Sequence, residues 1–335
     1  MKKILVTGGL GYIGSHTVVE LQNAGFEVVI IDNLSNTSIT VLENITSITG
    51  TQPEFHQIDL RNKEDVKQFF DNTTVDGIIH FAAFKAVGES VEKPLEYYEN
   101  NIGSLVYLLQ EMNERKLDHF IFSSSCTVYG QADELPITET APIKPAESPY
   151  GNTKQIGETI IKESCNSNGL NAIALRYFNP IGGHKSIKIG ELPLGIPQNL
   201  IPFITQTAAG IREELSVFGS DYPTPDGTAV RDYIHVVDLA KAHIAALQRL
   251  LENNNAQKFE FFNVGTGTGT SVLEVIKAFE KVSGKSLNYK IVDRRAGDIT
   301  AAYADTTLAN TALNWKTKKS LEEALDSAWQ WQLQQ

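Results

Sequence analysis

A tyrosine and a lysine four residues apart, Tyr150 and Lys154, form a pair with an evident capacity for acid–base chemistry. The surrounding segment has helical spacing, and side chains four positions apart lie on one face of a helix. A phenol with a pKa of about 10 is a poor base at neutral pH, but a nearby ammonium favours the phenolate. The pair is suited to act as a general base on a sugar or alcohol hydroxyl. The alternative is an exposed helical pair with no catalytic role.

Serines at the end of an apolar strand strengthen the catalytic interpretation. Residues 122–130 (FSSSCTVYG) follow an apolar run, which places their hydroxyl groups at the carboxyl end of a predicted strand. Open α/β sheets bind ligands at that end. We expect Ser125 to share a hydrogen bond with the Tyr150 phenol and a substrate hydroxyl. The alternative is a serine-rich strand end that caps the next turn.

A glycine-rich loop near the start of the chain indicates a phosphate-binding turn. The predicted strand 4–7 runs directly into Gly8, Gly11 and Gly14. Glycines let the backbone turn sharply and approach a pyrophosphate without an intervening Cβ, and the helix that follows presents free N–H groups. The alternative is a tight strand-to-helix connection. Asp32 argues against it.

Asp32 lies at the end of the next predicted strand, 18 residues after Gly14. That distance is close to the spacing of about 20 residues at which an acidic side chain meets the adenine ribose of a dinucleotide. A carboxylate there accepts hydrogen bonds from ribose hydroxyls and repels a 2′-phosphate. The sequence therefore predicts NAD rather than NADP, and the nicotinamide cation would further favour the Tyr150 phenolate.

The elements that must position these residues alternate between short apolar runs and helical patterns. Strands are predicted at 3–7, 27–31, 54–58, 77–81, 119–123, 171–176 and 259–264, and helices at 13–24, 65–70, 149–168, 234–250 and 271–282. Strands that alternate with helices indicate right-handed crossovers and a doubly wound parallel sheet. Residues 180–226 are rich in proline and glycine, which favours loops and short elements and suggests a smaller domain that covers the substrate. The fold class predicted is α/β.

Composition excludes several functions. With 29 Lys and Arg against 40 Asp and Glu, the net charge is −11, which disfavours nucleic acid and anionic lipid as partners. No apolar run approaches the roughly 20 residues that a membrane span needs. Two cysteines, Cys126 and Cys165, favour a reducing compartment, so we expect a cytoplasmic protein. The seven histidines lack metal-ligand spacing, and no metal is expected.

Taken together, the motifs resemble those of the UDP-glucose 4-epimerases, a group within the extended short-chain dehydrogenase/reductase family. Many extended members share TGGLGYIG, SSSCTVYG and YGNTK, whereas HFAAFKAVGES, KPLEYYENN and the segments from RYFNP through IPQNL to GTAVRDYIHV are typical of these epimerases. The resemblance covers essentially the whole chain. It implies a Rossmann-type NAD domain at 1–178, with about 231–265 returning to it, and a mainly UDP-sugar-binding α/β domain at 179–335.

The resemblance also implies roles for individual residues. The catalytic set is Ser125, Tyr150 and Lys154. The positions matching cofactor contacts are Gly8, Gly11, Tyr12, Ile13 and Gly14 on the pyrophosphate loop, Asp32, Asn36, Asp59 and Leu60 at the adenosine half, Phe81, Ala82, Lys85 and Asn100 along the wall, and Tyr150, Lys154 and Tyr177 beside the nicotinamide. The positions matching UDP-sugar contacts are Ser125, Asn179, Asn199, Leu200, Arg231, Tyr233, Arg295, Asp298 and Ala302.

The implied reaction is NAD-dependent epimerisation at C4 of UDP-glucose and UDP-galactose through a 4-keto sugar. Some relatives have a bulky tyrosine at the position of Ala302, and others have a small residue. Ala302 is therefore expected to leave room for the N-acetylated substrates UDP-GlcNAc and UDP-GalNAc. Cys126 replaces the family's usual alanine, and we interpret it as a small packing residue, because nothing nearby would lower its pKa.

Two rival functions and one misleading motif remain. A nucleotide-sugar 4,6-dehydratase also oxidises C4 but carries Thr-Asp-Glu where this chain has Ser125-Cys126-Thr127, and a non-catalytic NAD-binding regulator would be expected to lose Tyr150 or Lys154. The run 265–270 (GTGTGT) lacks the Gly-Lys-Ser/Thr of a phosphate loop and is expected to be a tight turn. The resemblance further implies a homodimer that pairs helices near 94–113 and 150–168.

Overall fold

The computed structural model of the protein describes residues 1–295 and 298–335. Its strands are β1 (Lys3–Thr7), β2 (Glu27–Asp32), β3 (Glu54–Gln57), β4 (Gly77–His80), β5 (His119–Ser125), β6 (Asn171–Tyr177), β7 (Asn179–Ile181), β8 (Leu215–Phe218), β9 (Val230–Arg231), β10 (Tyr233–His235), β11 (Phe259–Val264), β12 (Thr270–Ser271), β13 (Tyr289–Val292) and β14 (Ala301–Ala302).

The helices follow these strands in regular alternation through the first half of the chain. They are α1 (Tyr12–Asn23), α2 (Thr40–Thr49), α3 (Lys63–Asn72), α4 (Val87–Glu92), α5 (Pro94–Tyr98), α6 (Ser104–Arg115), α7 (Pro149–Asn168), α8 (Leu200–Ala208), α9 (Val236–Leu251), α10 (Val272–Ser283), α11 (Thr307–Ala312) and α12 (Leu321–Gln332). A π-helical turn (Glu99–Gly103) joins α5 to α6, and a 3₁₀ turn (Cys126–Tyr129) follows β5.

A seven-stranded parallel sheet forms the centre of the fold, in the order β11-β6-β5-β4-β1-β2-β3. The strand order reverses between β1 and β4, as in doubly wound folds. The predicted Rossmann-type α/β class is confirmed. The end of β5 differs from the prediction: the strand continues to Ser125 because Ser123, Ser124 and Ser125 pair in register with β6.

Both faces of the sheet are covered, as parallel sheets require. Successive residues of β1 point into different cores: Ile4 and Val6 pack with Val18 of α1 and Leu239 of α9, whereas Leu5 packs with side chains of the opposite layer. That layer includes Val66 of α3, Leu105 of α6 and Ile161 of α7. Helix α7, which carries Tyr150 and Lys154, is therefore held against β5 and β6 by a continuous apolar layer.

The later part of the chain builds a further core and several small sheets. Its cluster includes Ile204 of α8, Val217 of β8, Phe279 of α10 and Trp329 of α12. The small sheets are β7 with β10, β8 with β13, and β9 between β12 and β14. Strand β11 pairs with β6, so the chain returns to the main sheet after building part of this region.

One predicted helix begins later than expected. The apolar pattern predicts a helix over 234–250, but Tyr233–His235 forms β10, and α9 starts at Val236. The cause is pairing of β10 with β7, and the ring of His235 caps α9 by accepting a hydrogen bond from the backbone N–H of Val237 at 3.1 Å. Within residues 1–295 and 298–335, no helix is long and apolar enough to cross a membrane.

Candidate active site

The glycine-rich part of the predicted cofactor site lies where the strand order reverses. The loop after β1 packs against the chain after β4, and an added Cβ at Gly8 would lie 2.8 Å from the backbone nitrogen of Ala82. Ligands of open α/β sheets bind in the crevice at such a switch point. Gly8 and Ala82 thus line one crevice.

The glycine loop packs closely on its own backbone and leads into a helix whose first turn is not capped by a side chain. Gly8 has φ of +66°, and a Cβ at Gly14 would lie 2.1 Å from the carbonyl oxygen of Gly8. Only glycine fits this close approach at position 14. Helix α1 begins at Tyr12, and Gly11 before it supplies no side-chain cap. The N–H groups of the first turn, with Ile13 among them, remain available to an anion.

Asp32 joins the glycine loop to the end of β2. It is 8 % exposed, and its two carboxylate oxygens accept hydrogen bonds from the backbone N–H groups of Leu34 at 2.9 Å and Leu10 at 3.1 Å. Burial raises the pKa of Asp32, and these two hydrogen bonds oppose that shift. The carboxylate is fixed beside the loop, as a ribose acceptor must be. Asn36 follows in the exposed part of the next loop.

Asp59 and Leu60 follow β3 at the same edge of the sheet. Leu60 is buried, whereas Asp59 is half-buried and accepts a 2.7 Å hydrogen bond from the guanidinium of Arg61. Arg61 holds the pKa of Asp59 at about 2. Asp59 also accepts a hydrogen bond from Asn33 at 3.2 Å, which links the loops after β2 and β3.

Three rings form a wall after β4 and β6. The centroid of Phe81 lies 4.7 Å from that of His243, and the centroid of Tyr177 lies 5.8 Å from the same histidine. Burial lowers the pKa of His243 to about 4, so this ring is neutral at physiological pH. The Tyr177 hydroxyl is hydrogen-bonded to the hydroxyl of Ser123 on β5. The wall therefore reaches β5.

Glu191, which sequence reasoning missed, connects the two halves of the site. Its carboxylate lies 3.2 Å from Nζ of Lys85 and accepts a 2.6 Å hydrogen bond from the side chain of Asn199. Lys85 also lies 5.9 Å from the ring centroid of Tyr12, whose hydroxyl donates to the carbonyl of Gly182 at 2.7 Å. A predicted cofactor residue and a predicted substrate residue thus share one acidic partner.

Asn100 lies in the π-helical turn beside another side chain that the sequence did not single out. Its amide donates to Oδ1 of Asn101 at 2.9 Å. Asn101 is buried, accepts from the backbone of Phe84 at 2.8 Å and donates to Oγ1 of Thr153 at 3.1 Å. Asn101 therefore ties the loop after β4 to α7. A π-helical turn has no distinctive periodicity in sequence, although such turns are frequent at functional sites.

Helix α7 presents Tyr150 in its first turn and Lys154 one turn later. Its start is defined by Ser148, whose hydroxyl accepts from the backbone of Gly151 at 3.1 Å, and by Pro149 in the first helical position. Lys154 is 4 % exposed, and its Nζ donates to the carbonyl oxygen of Ser123 at 2.7 Å. The same Nζ lies 5.7 Å from the centroid of the Tyr150 ring. Burial lowers the pKa of Lys154 to about 8.

The phenol of Tyr150 differs from the sequence expectation in its ionisation. Burial, followed by the nearby Tyr177 hydroxyl, raises its pKa above the ordinary value, and a hydrogen bond with Ser125 acts in the opposite direction. Burial is the largest cause of the shift, because desolvation penalises the charged form. The chain alone therefore favours the neutral phenol, and additional positive charge is needed to favour the base.

The predicted substrate residues cluster on the small elements after β6. Asn179 of β7 and Tyr233 of β10 are direct register partners, and Asn199 immediately precedes Leu200, the first residue of α8. The guanidinium of Arg231 on β9 forms an ion pair with Asp298.

Arg295 lies near the same region and is held by an amide. Its guanidinium donates to Oε1 of Gln198, next to Asn199, at 3.2 Å. Residues 296 and 297 of the predicted substrate segment lie outside the described residues.

The glycine-threonine run at 265–270 binds a carboxylate of the protein. Asp232, which is fully buried between Arg231 and Tyr233, accepts hydrogen bonds from the backbone of Thr266 at 2.8 Å and of Gly267 at 3.1 Å. A Cβ at Gly265 would lie 2.4 Å from the Asp232 carboxylate. The predicted tight turn is present, and it fixes the strand that carries Arg231.

Ala302 lies in β14, directly paired with Arg231. It is 2 % exposed and belongs to a small apolar cluster with Val128, against which Cys126 and Ile299 pack. Burial raises the pKa of Cys126 to about 12, so its thiol is un-ionised at neutral pH, consistent with a packing role.

His80, at the end of β4, makes structural contacts. It is buried, shares a 2.7 Å hydrogen bond with Thr7 and stacks between Phe120 and Phe122. No group of three or more His, Cys, Asp or Glu side chains suited to a metal ion occurs among the described residues.

Comparisons with known proteins agree with this geometry. A family model described as GDP-mannose 4,6 dehydratase matches residues 5–328. The UDP-glucose 4-epimerase of Bacillus subtilis is 50 % identical over 330 residues, covering 98 % of this chain and 96 % of that protein.

Solved structures give the same result. The crystal structure of UDP-glucose-4-epimerase from Stenotrophomonas maltophila with bound NAD and formylated UDP-arabinopyranose has a TM-score of 0.96 and 46 % identity, and covers 100 % of this chain and 98 % of that chain. The UDP-Glc/GlcNAc 4-epimerase of Campylobacter jejuni has a TM-score of 0.85 and 36 % identity, with 100 % of each chain covered. The chain belongs to the UDP-glucose 4-epimerase family, within the broader group that the dehydratase model describes.

Proposed function

We propose that this protein is an isomerase that interconverts UDP-glucose and UDP-galactose with NAD as its cofactor. The observation that carries the proposal is that Ser125, Tyr150 and Lys154 lie together at the carboxyl end of the sheet. The glycine loop leads into α1 at the same end of the sheet. Family membership gives the reaction, and this arrangement supplies the groups that the reaction needs.

NAD fits the crevice at the strand-order reversal. The tight turn that Gly8 and Gly14 permit, the uncapped start of α1 and the carboxylate of Asp32 match a pyrophosphate and an adenine ribose without a 2′-phosphate. Bound there, NAD supplies the hydride acceptor and then the hydride donor for C4 of the sugar, and its nicotinamide adds the positive charge that the Tyr150 site requires.

The chain's own residues handle the proton. We assign Tyr150 as the base that takes the proton of the sugar 4-hydroxyl while C4 loses hydride, which leaves a 4-keto sugar. Ser125 shares its hydroxyl with the phenol and the sugar oxygen. Lys154 favours the phenolate and is mostly protonated at neutral pH, because its pKa is about 8. In the second half of the cycle Tyr150 returns the proton after hydride reaches the opposite face of C4.

The ring of the 4-keto sugar must rotate in the pocket before hydride returns, so the nucleotide must be bound tightly and the hexose weakly. We assign tight binding of the diphosphate to Arg231 and Arg295, because guanidinium groups bind phosphate bidentately. The remaining substrate positions are Asn179, Asn199, Leu200, Tyr233 and Asp298. Binding energy from the UDP group, which does not react, then positions the group that does.

The dehydratase alternative has support from the name of the matched family model, so it needs a specific argument. Elimination of water requires an acid and a base beyond the tyrosine. At the corresponding position this chain has Cys126, whose buried thiol has a pKa of about 12 and cannot provide a base at neutral pH. A non-catalytic regulator is disfavoured because Tyr150 and Lys154 are both present and lie next to each other on α7.

One incubation separates these three functions. Purified protein is mixed with UDP-galactose and NAD, with no added reductant, and the nucleotide sugars are separated by chromatography. An epimerase forms UDP-glucose, a dehydratase forms a 4-keto-6-deoxy sugar, and a regulator leaves UDP-galactose unchanged. Either of the last two results would contradict the proposal.

The small side chain of Ala302 predicts activity on N-acetylated substrates. We expect the protein to interconvert UDP-GlcNAc and UDP-GalNAc as well, and the substitution Ala302→Tyr to lower kcat/KM for that pair by about ten-fold or more. The plain hexose pair, measured on the same variant, is the control and should lose much less. No N-acetylhexosamine turnover by the parent protein would contradict this prediction.

We also propose a homodimer that pairs the helices near 94–113 and 150–168. Exposed apolar side chains support this surface: Leu95 of α5 lies within it and is 80 % exposed, and Val91 of the preceding helix α4 is 61 % exposed. Small-angle X-ray scattering at micromolar concentration should give twice the mass of one chain. Substitution of both residues by lysine should shift the mass toward one chain, and a monomeric parent protein would refute the assignment.

We also propose a domain division and a cellular location. Residues 1–178, with 231–265 returning, form the NAD domain, and 179–335 mainly bind the UDP-sugar. The pairing of β11 with β6 supports this interleaving. The free thiols Cys126 and Cys165 are in keeping with a cytoplasmic location.

A further inference from the structure

A buried carboxylate lies directly behind the catalytic pair. Glu158 is on α7, four residues after Lys154 and eight after Tyr150, so the three side chains follow one face of the helix. Glu158 is 7 % exposed. A buried carboxylate is unfavourable unless it is paired and hydrogen-bonded, so its partners indicate its role.

Those partners lie on the two strands beside α7. The carboxylate accepts a 2.5 Å hydrogen bond from the hydroxyl of Ser124 on β5. It is also held bidentately by Arg176 of β6, at 2.9 Å from Nε and 2.5 Å from Nη2. Ser124 lies between Ser123, whose carbonyl receives Lys154, and Ser125. Glu158 therefore fixes the strand end that carries two of the active-site contacts.

The guanidinium of Arg176 also contacts two aromatic side chains besides Glu158. It is 4 % exposed, donates to the hydroxyl of Tyr129 at 2.9 Å and stacks over the ring of Phe261 at 4.0 Å. The Tyr129 hydroxyl donates in turn to Asn263 at 2.7 Å. The ion pair belongs to a closed network that runs from α7 to β11, which leaves the geometry little freedom to relax.

Lys154 faces few other groups that carry charge. On α7 it faces Tyr150 and Glu158 and on β4 His80, while β5 contributes the Ser123 carbonyl and the Phe122 ring. Arg176 of β6 is the ion-pair partner of Glu158. His80 has a pKa of about 3 and is neutral, and Tyr150 is a neutral phenol. Among these groups, Glu158 is the one that carries negative charge at neutral pH.

We propose that Glu158 is a positioning residue for the C4 epimerisation, which seats the Ser123–Ser125 strand end and keeps Lys154 in its ammonium form. The inference rests on the proposed function for its kinetic consequence. Burial lowers the pKa of Lys154 and Glu158 opposes that shift. Removal of the negative charge therefore moves loss of the Lys154 proton to lower pH.

The test compares Glu158→Gln with the parent protein in two measurements. The first is the chemical shift of ¹³Cε of Lys154 against pH, assigned by its absence in Lys154→Arg, which needs no turnover. The second is kcat for UDP-galactose between pH 6 and 10. In Glu158→Gln, the pH midpoint of the Lys154 ¹³Cε titration and the alkaline pH midpoint of kcat should both fall by about one pH unit. An opposite charge nearby commonly shifts a pKa by one unit or more.

Two control variants separate this role from general destabilisation. Glu158→Asp keeps the charge and should retain the parent midpoint, even if kcat falls at every pH. Glu260→Gln removes the carboxylate of a similarly buried pair, Arg249–Glu260, which joins α9 to β11 away from the catalytic helix. It should leave both midpoints unchanged.

Glu158→Gln leaves Arg176 buried without its carboxylate partner, which destabilises the fold. The double variant Glu158→Gln with Arg176→Met removes both charges together and leaves no unpaired charge buried. Because the two charges act on Lys154 in opposite directions, its midpoints should lie between those of Glu158→Gln and the parent protein. Unchanged midpoints in the folded variant, or a loss of kcat equal at every pH, would overturn the inference. If Lys154 of the parent protein titrates but the protein does not turn over UDP-galactose, the proposed function is wrong. The effect of the Glu158 charge on Lys154 is then still tested by the NMR midpoint.

Discussion

Replacement of Tyr150 by phenylalanine should lower kcat for UDP-galactose by about a thousand-fold. General acid–base catalysis commonly contributes 10²- to 10⁴-fold, and the reaction uses this one phenol to remove and return the same proton. The ring stays in place in Tyr150→Phe, so packing changes little. The loss should appear in kcat, with the KM for UDP-galactose within a few-fold of the parent value.

The matched control for this prediction is Tyr98→Phe. The Tyr98 hydroxyl accepts a 2.7 Å hydrogen bond from Asn152 on the same helix α7 but touches none of the proposed reacting groups. Its loss should leave kcat within a few-fold of the parent protein. If Tyr150→Phe retained more than about a tenth of parent activity, the assignment of the base would be wrong.

Substitution of Gly14 by alanine should abolish productive binding of NAD. The added Cβ would lie 2.1 Å from the carbonyl oxygen of Gly8 and 2.9 Å from Cα of Gly9, and both are backbone atoms that cannot rotate away. The loop must open, which moves the first turn of α1 from the pyrophosphate. Overpacking of this kind typically costs about 1–3 kcal/mol, so we expect the affinity for NAD to fall at least ten-fold and the free energy of unfolding to fall by a similar amount.

Gly103→Ala is the control, because a Cβ at that position meets nothing within 4 Å and the backbone there is already helical. Titration calorimetry with NAD and thermal unfolding of both variants decide the outcome. Equal NAD affinity in Gly14→Ala and the parent protein would show that the glycine loop does not bind the cofactor.

The local parts of the site could be predicted because each depends on short-range geometry. Strand β1, the glycine loop, α1 and Asp32 lie within one crossover unit, and the four-residue spacing of Tyr150 and Lys154 already places them on one helix face. The alternation of apolar strands and helices likewise predicts the parallel sheet, since buried parallel strands and amphipathic helices have distinct periodicities.

The missed residues make contacts across long stretches of sequence. Glu191 joins Lys85 to Asn199, and Asp232 is bound by a loop that begins 34 residues later at Thr266. Both lie on irregular segments, where no periodicity shows which way a side chain points. The raised pKa of Tyr150 could not be predicted either, because its largest cause is burial, which depends on the packed site.

The central claim is that hydride leaves C4 of the sugar and returns to the same carbon from the other side. It is tested most directly with UDP-galactose that carries deuterium at C4, incubated with the NAD-loaded protein in ordinary water. We predict UDP-glucose that retains deuterium at C4, because a hydride held on a bound cofactor does not exchange with solvent. UDP-glucose with hydrogen from water at C4 would contradict this mechanism. Recovery of UDP-galactose alone, with no UDP-glucose formed, would also contradict it.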